Sequence, residues 1–393
     1  MTDVLIAGLS SRAIADSAVR AGFTVTTIDA FADLDLHPAV RGLSLPRDFG
    51  IGFNAQAAAC AASDLPGEAV VYASNFENYP DAVRTLASGR VLWGNLPVAL
   101  RRVRDPRTLA ETFRLRGIPA PAVRMRGSNY PNHPNGPNGP NDPNDPNDWL
   151  VKPLSSGGGH GVRRWTGTRV PRECYLQQRI EGVPGSVVFV AAGGQSVPLG
   201  VSRQLIGDRA FGADGYRYCG NILAAAGDAQ FGRDEVLVDA ASAIAHAVAE
   251  VFELVGLNGI DFIADDGVPH PIEVNPRWCA SMELVEHVYS VSMFGVHAAA
   301  CAAGTLPVFD LSKARRSVPA VGKAIVFARG DVEVGNTKTW LDDPTVRDIP
   351  HPGERIADGR PICTVLAEGA DATACYDALV RRASRVYAAL HAL

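Results

Sequence analysis

The sequence lacks any run of about 18 consecutive apolar residues, the length that a helix needs to cross a bilayer. No basic segment stands before the first apolar stretch, as it would in a secretory signal peptide. The seven cysteines are widely spaced and contain no CxxC pair, so neither a zinc ribbon nor a disulfide framework is indicated. These absences predict a cytoplasmic protein with reduced thiols and no membrane partner.

An excess of basic residues is also missing. Lys plus Arg number 37 against 42 Asp plus Glu, a net charge of −5, and no basic stripe could follow a phosphate backbone. Nucleic acid is therefore not expected as a partner. Hydrophobic residues make up 47% of the 393 residues and charged residues 20%, a mixture that can form a globular core. The length predicts several compact units.

The first hundred residues alternate short β-like runs with Ala-rich helical runs, a rhythm that predicts a parallel sheet. The turn Gly8–Ala13 follows the first strand, where a phosphate-binding turn would lie, but it has no GxGxxG pattern. Asp29, at the end of the second strand, is only a weak signal for a ribose-binding acid. We favour an α/β domain whose strand ends, residues 8–12 and 74–78, line a cleft. NAD binding is the alternative.

The middle of the chain contains an unusual insertion. A helical region must stop at GIPAP, residues 117–121, because of its glycine and two prolines. Six Pro-Asn-X triplets then occupy residues 131–148. They offer no apolar side chain to a core, so we expect a disordered insertion over 128–148. The runs WLVKP, YLQQRI and GSVVFVA beyond it predict strands, and a long helix and a β-rich C-terminal region follow.

A glycine-rich segment comes directly after the strand WLVKP. Gly157, Gly158 and Gly159 would let backbone N–H groups approach phosphate oxygens without obstruction by a Cβ atom. Lys152, at the end of the strand, supplies a positive charge close by. By itself this pattern fits a plain flexible turn as well as a phosphate site.

The hairpin GIDFIADDGVPHPIEVNP carries a more specific signal. Asp261, Glu273 and Asn275 offer two carboxylates and an amide carbonyl, the hard oxygen donors that Mg²⁺ prefers when it also binds phosphate. With a two-residue turn, Asp261 would lie opposite Ile272 and face away from Glu273. A longer loop or a bulge brings Asp261 opposite Glu273 instead. Because two prolines favour an irregular second strand, we predict the latter register.

Two arginines are candidates for stabilising negative charge at a reacting centre. Arg277 lies two residues beyond Asn275, within reach of the oxygens that a metal ion would neutralise. Arg203, in the run VSRQLIGD, is the second candidate, and a surface ion pair explains it equally well. Cys219 and Cys279 lie near these motifs without a recognisable His and Asn or Asp relay, so we do not expect thiol chemistry.

Taken in order, the α/β start and the motifs GIPAP, LVKPLSSGGGHGV, YLQQRIEG, GLNGIDFI and PIEVNPR resemble the ATP-grasp superfamily. Members of that superfamily clamp ATP between two α+β lobes. The resemblance implies a mixed α/β and α+β fold with a Rossmann-like pre-ATP-grasp domain over 1–96. An ATP-grasp domain over 97–306 and a small β-rich lobe over 307–393 would follow.

The resemblance also implies roles for individual residues, with the lysine and the glycine loop on the ATP phosphates and the run YLQQRIEG at the adenine. The implied ATP-binding residues are Lys152, Ser156, Gly157, Gly158, Gly159, Gln178, Arg179, Ile180, Glu181 and Arg107. The implied ligands of Mg²⁺, or of Mn²⁺ as an alternative, are Asp261, Glu273 and Asn275. The implied catalytic residues are Lys152, Arg203 and Arg277.

Two positions depart from the superfamily pattern. The lysine that usually contacts the α-phosphate has no counterpart in RVRDPRTL, where only Arg104 and Arg107 are available. The acid that often holds the ribose is replaced by Pro184, and Glu181 is the nearest substitute.

The activity implied by the resemblance is that of a ligase, which activates a small carboxylate with ATP as an acyl phosphate and transfers it to an amine. The runs WGNLPVALRRVRDP, RYCGNIL and PRWCASMELVE look most like ligases of methanopterin or methanofuran one-carbon pathways, including tyramine-glutamate ligase. A homodimer is a further expectation. The alternatives are transfer to a thiol or carbamoyl-type acceptor and a nucleotide-binding sensor without turnover.

Overall fold

The computed structural model describes residues 2–126 and 148–391. Apart from Asp148, the predicted Pro-Asn insertion over 128–148 lies outside the described residues. Within the described residues, no helix combines the length and the apolar character needed to cross a membrane.

The N-terminal unit is a parallel sheet between two layers of helices. Its elements are β1 Asp3–Ala7, α1 Arg12–Arg20, β2 Thr24–Asp29, β3 Val40–Ser44, α2 Leu45–Phe49, α3 Ala55–Ala61, β4 Ala69–Tyr72, α4 Pro80–Leu86 and β5 Val91–Leu92. The strand order is β3-β2-β1-β4-β5, and every pairing is parallel. Alternate residues of β1 face opposite sides, so Val4 and Ile6 pack with α1 while Leu5 and Ala7 pack with α3 and α4. The predicted βαβ rhythm is confirmed.

A second unit begins with two short helices and a small antiparallel sheet. Its elements are α5 Pro97–Val103, α6 Pro106–Leu115, β6 Val123–Arg124, β7 Trp149–Pro153, β8 Arg163–Arg164 and β9 Cys174–Gln178. Asp105 caps α6 by accepting a hydrogen bond from the Arg107 backbone N–H at 3.2 Å. Gly117, with a φ of 64°, follows the end of α6 where the GIPAP motif predicted a stop. The small sheet has the order β6-β9-β7-β8.

A large antiparallel sheet runs through the rest of the chain. Its elements and the helices between them are β10 Val183–Ala192, β11 Gln195–Ile206, β12 Tyr218–Leu223, α7 Asp234–Phe252, β13 Gly256–Asp265, β14 Val268–Asn275, α8 Met282–Tyr289, α9 Met293–Ala303, α10 Leu311–Ala314, β15 Ala320–Phe327, β16 Val332–Glu333, β17 Val346–Arg347, β18 Arg355–Ile356, β19 Pro361–Gly369 and α11 Ala372–His391. The large sheet has the order β14-β13-β10-β11-β12-β15-β19-β17, and β16 pairs with β18. The runs YLQQRI and GSVVFVA, both predicted as strands, form β9 and β10 and belong to different sheets.

The C-terminal lobe shares this sheet with the middle of the chain. Gly220 of β12 lies opposite Ala324 of β15, and a Cβ atom on Gly220 would come within 2.2 Å of the Lys323 carbonyl oxygen. The close approach of the two strands therefore requires glycine. Helix α11 covers this part of the sheet with Cys375, Leu379 and other apolar side chains. The predicted domain boundary at 306 stays a prediction, since β-pairing continues across it.

A buried arginine links all three parts of the molecule. Arg12, only 2% exposed, donates from Nη1 to Oε1 of Glu283 in α8 at 2.5 Å. Its Nε donates to Oδ1 of Asp348 in the C-terminal lobe at 2.8 Å. Lys323 of β15 pairs with the other carboxylate oxygen of Glu283. The start of α1 is thereby fixed against two distant segments of the chain.

Replacing Arg12 by Met should lower the free energy of unfolding by about 3–5 kcal/mol, because Glu283 and Asp348 would lose a buried cationic partner. Thermal unfolding followed by circular dichroism would show a lower midpoint. The matched control is Arg20→Met on the same helix. Arg20 is 54% exposed and pairs with Glu286, so its loss should change stability by less than about 1 kcal/mol. Equal effects of the two substitutions would contradict the linking role of Arg12.

Candidate functional site

A cavity of about 1330 Å³ lies where the N-terminal unit, the small sheet, the large sheet and the C-terminal lobe meet. The strand ends predicted to line a cleft do so, through Leu9, Ser10, Ser74 and Asn75 among others. Carboxyl ends of parallel strands gather at one edge of a sheet, which explains why residues distant in sequence open onto the same space.

The hairpin of β13 and β14 forms one wall of the cavity. Asp266 and Gly267, with φ angles of 45° and 77°, form a two-residue turn of the kind that requires positive φ at both positions. The pairing then shifts by one residue at Ile272, so that Asp261 lies opposite Glu273. The predicted register is confirmed, and a bulge rather than a longer loop produces it.

Two amide side chains orient the carboxylate of Asp261. Gln204 donates from Nε2 to Oδ1 at 2.9 Å, and Asn275 donates from Nδ2 to Oδ2 at 2.9 Å. Burial and the negative charge of Glu273 raise the pKa of Asp261 to about 6. Asp261 thus carries a charge that its surroundings only partly compensate.

Glu273, in contrast, has cationic neighbours. Arg104 donates from Nη1 to Oε1 of Glu273 and to the Val274 carbonyl oxygen, the latter at 3.0 Å. Burial would raise the pKa of Glu273, but the charges of Arg104 and Lys152 hold it below its ordinary value. Glu273 is therefore ionised at neutral pH, and its negative charge disfavours the ionisation of Asp261.

The donor set of the hairpin fits a divalent cation that also binds phosphate. Across residues 2–126 and 148–391, no group of three or more His, Cys, Asp or Glu side chains is arranged to hold a metal ion. Mg²⁺ bound together with phosphate needs only one or two carboxylates from the protein. Asp261 and Glu273 supply two, and a cation between them would relieve their repulsion. Their role as metal ligands, with Asn275, stays a prediction.

The glycine loop forms a second wall, through Ser156, Gly157, Gly158 and Gly159. The loop is tied to β12, where the Tyr218 backbone N–H donates to the Gly158 carbonyl oxygen at 3.0 Å. Gly159 has a φ of 74°, and a Cβ atom there would lie 1.7 Å from the Tyr216 carbonyl oxygen. Only glycine can hold the loop this close to the segment before β12.

Lys152 and the predicted adenine-binding run face the same cavity. Lys152 is buried on β7, and its Nζ donates to Gln177 Oε1 at 3.0 Å. Gln178, Arg179 and Ile180 follow at the end of β9 and also line the space. The structure thus brings together the lysine, the glycine loop, the run predicted to bind adenine and the acidic hairpin.

Three predicted site residues are not among the described residues that line the cavity. Arg107 is exposed on α6, and Arg104 reaches Glu273 instead. Glu181 is exposed and pairs with Arg179 at 2.6 Å. Arg203 is an exposed residue of β11. Its neighbour Gln204 contacts Asp261, and because adjacent strand residues face opposite sides, Arg203 points away from the site.

Arg277 joins the hairpin to the N-terminal unit. Its Nε donates to Glu77 Oε1 at 2.8 Å, and its Nη2 donates to Asn275 Oδ1 at 3.2 Å. Burial disfavours the charged guanidinium, but Glu77 keeps the pKa of Arg277 above its ordinary value. Glu77 falls within residues 74–78, which the sequence predicts to line a cleft because they follow β4, but its pairing with Arg277 was not predicted.

Two other residues, Asp29 and Cys279, are relevant to NAD binding and to thiol chemistry. Asp29 accepts hydrogen bonds from the Ser11 backbone N–H at 2.8 Å, from the Ser11 hydroxyl and from two further backbone N–H groups. It therefore fixes the turn between β1 and α1 rather than facing a ribose. Burial raises the pKa of Cys279 to about 12, so this cavity-lining thiol is protonated at neutral pH.

Residues 105–281 match the family model of the ATP-grasp domain. A protein of Methanocaldococcus jannaschii described as uncharacterized is 30% identical over 121 residues. That match covers 31% of this chain and 28% of the relative, less than a third of either.

Solved structures resemble nearly the whole chain. An L-amino acid ligase from Bacillus licheniformis has a TM-score of 0.67 and 14% identity, covering 98% of this chain and 97% of that one. N5-carboxyaminoimidazole ribonucleotide synthetase from Thermotoga maritima has a TM-score of 0.64 and 15% identity, covering 98% of each chain. The biotin carboxylase domain of 2-oxoglutarate carboxylase from Hydrogenobacter thermophilus, solved with MgADP and bicarbonate, has a TM-score of 0.67 and 14% identity, covering 96% of this chain and 88% of that one. At such identities the likeness concerns the fold, and the predicted ATP-grasp fold is confirmed.

Replacing Gly159 by Ala should weaken ATP binding by about 1–3 kcal/mol, because the loop must move away from Tyr216 to accommodate a Cβ atom. Titration calorimetry with ATP and Mg²⁺ would measure the change. Gly227→Ala is the matched control, since no atom lies within 4 Å of a Cβ atom there, its φ is not positive and it does not line the cavity. Indistinguishable ATP affinities for the two variants would contradict a role for the loop geometry.

Proposed function

We propose that this chain is an ATP-dependent ligase that joins a carboxylate to an amine by way of an acyl phosphate. The observation that carries the proposal is the placement of Asp261 opposite Glu273 in a cavity that Lys152 and the glycine loop also line. The match to the ATP-grasp domain supports ATP as the nucleotide. The likeness to an amino acid ligase and a ribonucleotide synthetase supports ligation.

In this proposal the chain positions charged groups around a triphosphate. Backbone N–H groups of the glycine loop and the ammonium group of Lys152 would bind its oxygens. Asp261, Glu273 and Asn275 would hold Mg²⁺, which neutralises charge on phosphate oxygens when it is bound. Arg277, fixed by Glu77, would orient the anionic substrate next to them.

The proposed reaction has two steps. A carboxylate oxygen of the first substrate attacks the γ-phosphorus of ATP, and ADP leaves. The uncharged amine of the second substrate then attacks the acyl carbon, phosphate leaves, and the amine nitrogen loses a proton. Typical ligand pockets measure about 300–1,000 Å³. The cavity of about 1330 Å³ exceeds that range, which supports the presence of more than one substrate.

The finer proposal concerns the pathway. The runs WGNLPVALRRVRDP, RYCGNIL and PRWCASMELVE support a ligase of methanopterin- or methanofuran-type cofactor synthesis, similar to tyramine-glutamate ligase. A screen of amino acids and of pterin and furan precursors for ADP release would test it. No ADP release with any of these precursors would contradict the pathway. The cytoplasmic location and the homodimer remain predictions.

Glu273→Gln should lower ADP formation by about 10²–10³-fold, since it removes one preorganised charge at the phosphates. A coupled ADP assay with Mg²⁺, ATP and the precursor panel would measure the rate. Glu111→Gln is the control, because Glu111 is exposed and paired only with Arg114 among the contacts of the described residues. Both variants should show the far-UV circular dichroism of the wild type. ADP formation at the normal rate in Glu273→Gln would contradict the proposed metal site.

A further inference from the structure

The wall of the cavity that belongs to the N-terminal unit contains buried polar atoms that have no partner among the described residues. They are Arg12 Nη2, Asp33 Oδ2, Asn75 Oδ1 and Glu77 Oε2. Polar atoms buried in a folded protein are nearly always hydrogen-bonded, and each unpaired one costs about 1–3 kcal/mol. Four such atoms around a single cavity indicate that this wall binds a ligand.

Asp33 is the acidic residue of this wall with the fewest contacts. It is 7% exposed, and no ion pair or side-chain hydrogen bond to its carboxylate is found within the described part of the chain. Its neighbours in sequence are engaged. Asp29 fixes the turn before α1, and Asp35 accepts hydrogen bonds from the backbone N–H groups of Asp348 and Ile349 at 3.1 and 2.8 Å. A structural role therefore accounts for Asp29 and Asp35 but not for Asp33.

The charges around Asp33 compensate its negative charge only in part. Arg12 is the nearby cation, and it already binds the carboxylates of Glu283 and Asp348. Burial, together with the charges of Asp348, Asp29 and Asp35, raises the pKa of Asp33 well above its ordinary value. An added cation would favour the ionised form of Asp33, whereas an anion would add to the repulsion. The charges around Asp33 therefore favour a positively charged ligand.

This acidic group is distinct from the one that faces the phosphates. Asp33 lies in the loop between β2 and β3 of the N-terminal unit. Asp261 and Glu273 lie on β13 and β14 of the large sheet, where Gln204 and Asn275 hold the Asp261 carboxylate. The cavity therefore carries two separate acidic subsites, of which the hairpin accounts for only one.

We propose that Asp33 forms a subsite for the protonated primary amino group of an organic substrate. This inference rests on the proposed function, in that the ligand is one of the two molecules to be joined. An amine that attacks an acyl phosphate must be uncharged. The ammonium group at Asp33 is therefore a recognition group at another position of the substrate, and it selects molecules that carry a positive charge there.

Titration calorimetry with simple probes tests the subsite without turnover. The probes are butylammonium, benzylammonium and 1,4-diaminobutane, each compared with its neutral analogue 1-butanol, benzyl alcohol or 1,4-butanediol. At least one ammonium probe should bind the wild type about tenfold or more tightly than its alcohol, as expected for a hydrogen bond between charged groups. Asp33→Asn should abolish that preference. Absence of any preference in the wild type would overturn the proposal.

Asp35→Asn is the matched control, since it removes the same charge from the same cluster. It should keep the preference for ammonium within about threefold but lower the thermal unfolding midpoint, because Asp35 holds two backbone N–H groups. Asp33→Asn should not lower the midpoint, since it removes an unpaired buried carboxylate. An equal loss of ammonium preference in both variants, or a lower midpoint only in Asp33→Asn, would overturn the subsite.

The subsite and the ligase activity can fail independently. If wild-type protein releases ADP with the precursor panel but shows no Asp33-dependent ammonium binding, the subsite is wrong and the ligase stands. If ammonium binding depends on Asp33 but no ADP forms with any precursor, the ligase proposal is wrong and the cation subsite stands.

Discussion

The carboxylates of Asp261 and Glu273 lie opposite each other across one hairpin, and the rest of the site depends on this arrangement. A single extra residue at Ile272 turns Glu273 toward Asp261, and neither acid could face the other in a regular two-residue hairpin. The repulsion between these two carboxylates is unfavourable when no cation is bound. Arg104 relieves it for Glu273 alone, so the charge of Asp261 remains available to a bound cation. The local fold thus keeps a site at which positive charge is favoured.

The N-terminal unit contributes to the site through ionic links as well as through its strand ends. Glu77 fixes Arg277 beside the hairpin, and Arg12 fixes the start of α1 against Glu283 and Asp348. Both links are buried and join segments far apart in the sequence. They place the loops of the parallel sheet over the large sheet, so residues of both line a single cavity. A protein with only the two antiparallel sheets would lack this wall.

Much of the site could be predicted because its signals are local. Two prolines in the second strand indicated the irregular register of the hairpin, and the glycine run after β7 indicated a loop without obstructing side chains, which lies on the cavity wall. The side of the sheet that Arg203 faces could not be predicted, since it depends on the pairing of Ser202 with Ser186 and Asn221 across three strands. The pairing of Arg12 with Glu283 and Asp348 could not be predicted either, because 271 and 336 residues separate Arg12 from these partners.

The most direct test of the account is a crystal structure of the protein with Mn²⁺ and a non-hydrolysable ATP analogue, in which anomalous scattering locates the ion. The account predicts a Mn²⁺ peak bound by both Asp261 and Glu273, with the triphosphate between this ion and Lys152. A peak bound elsewhere, or a triphosphate that lies away from the hairpin, would contradict it.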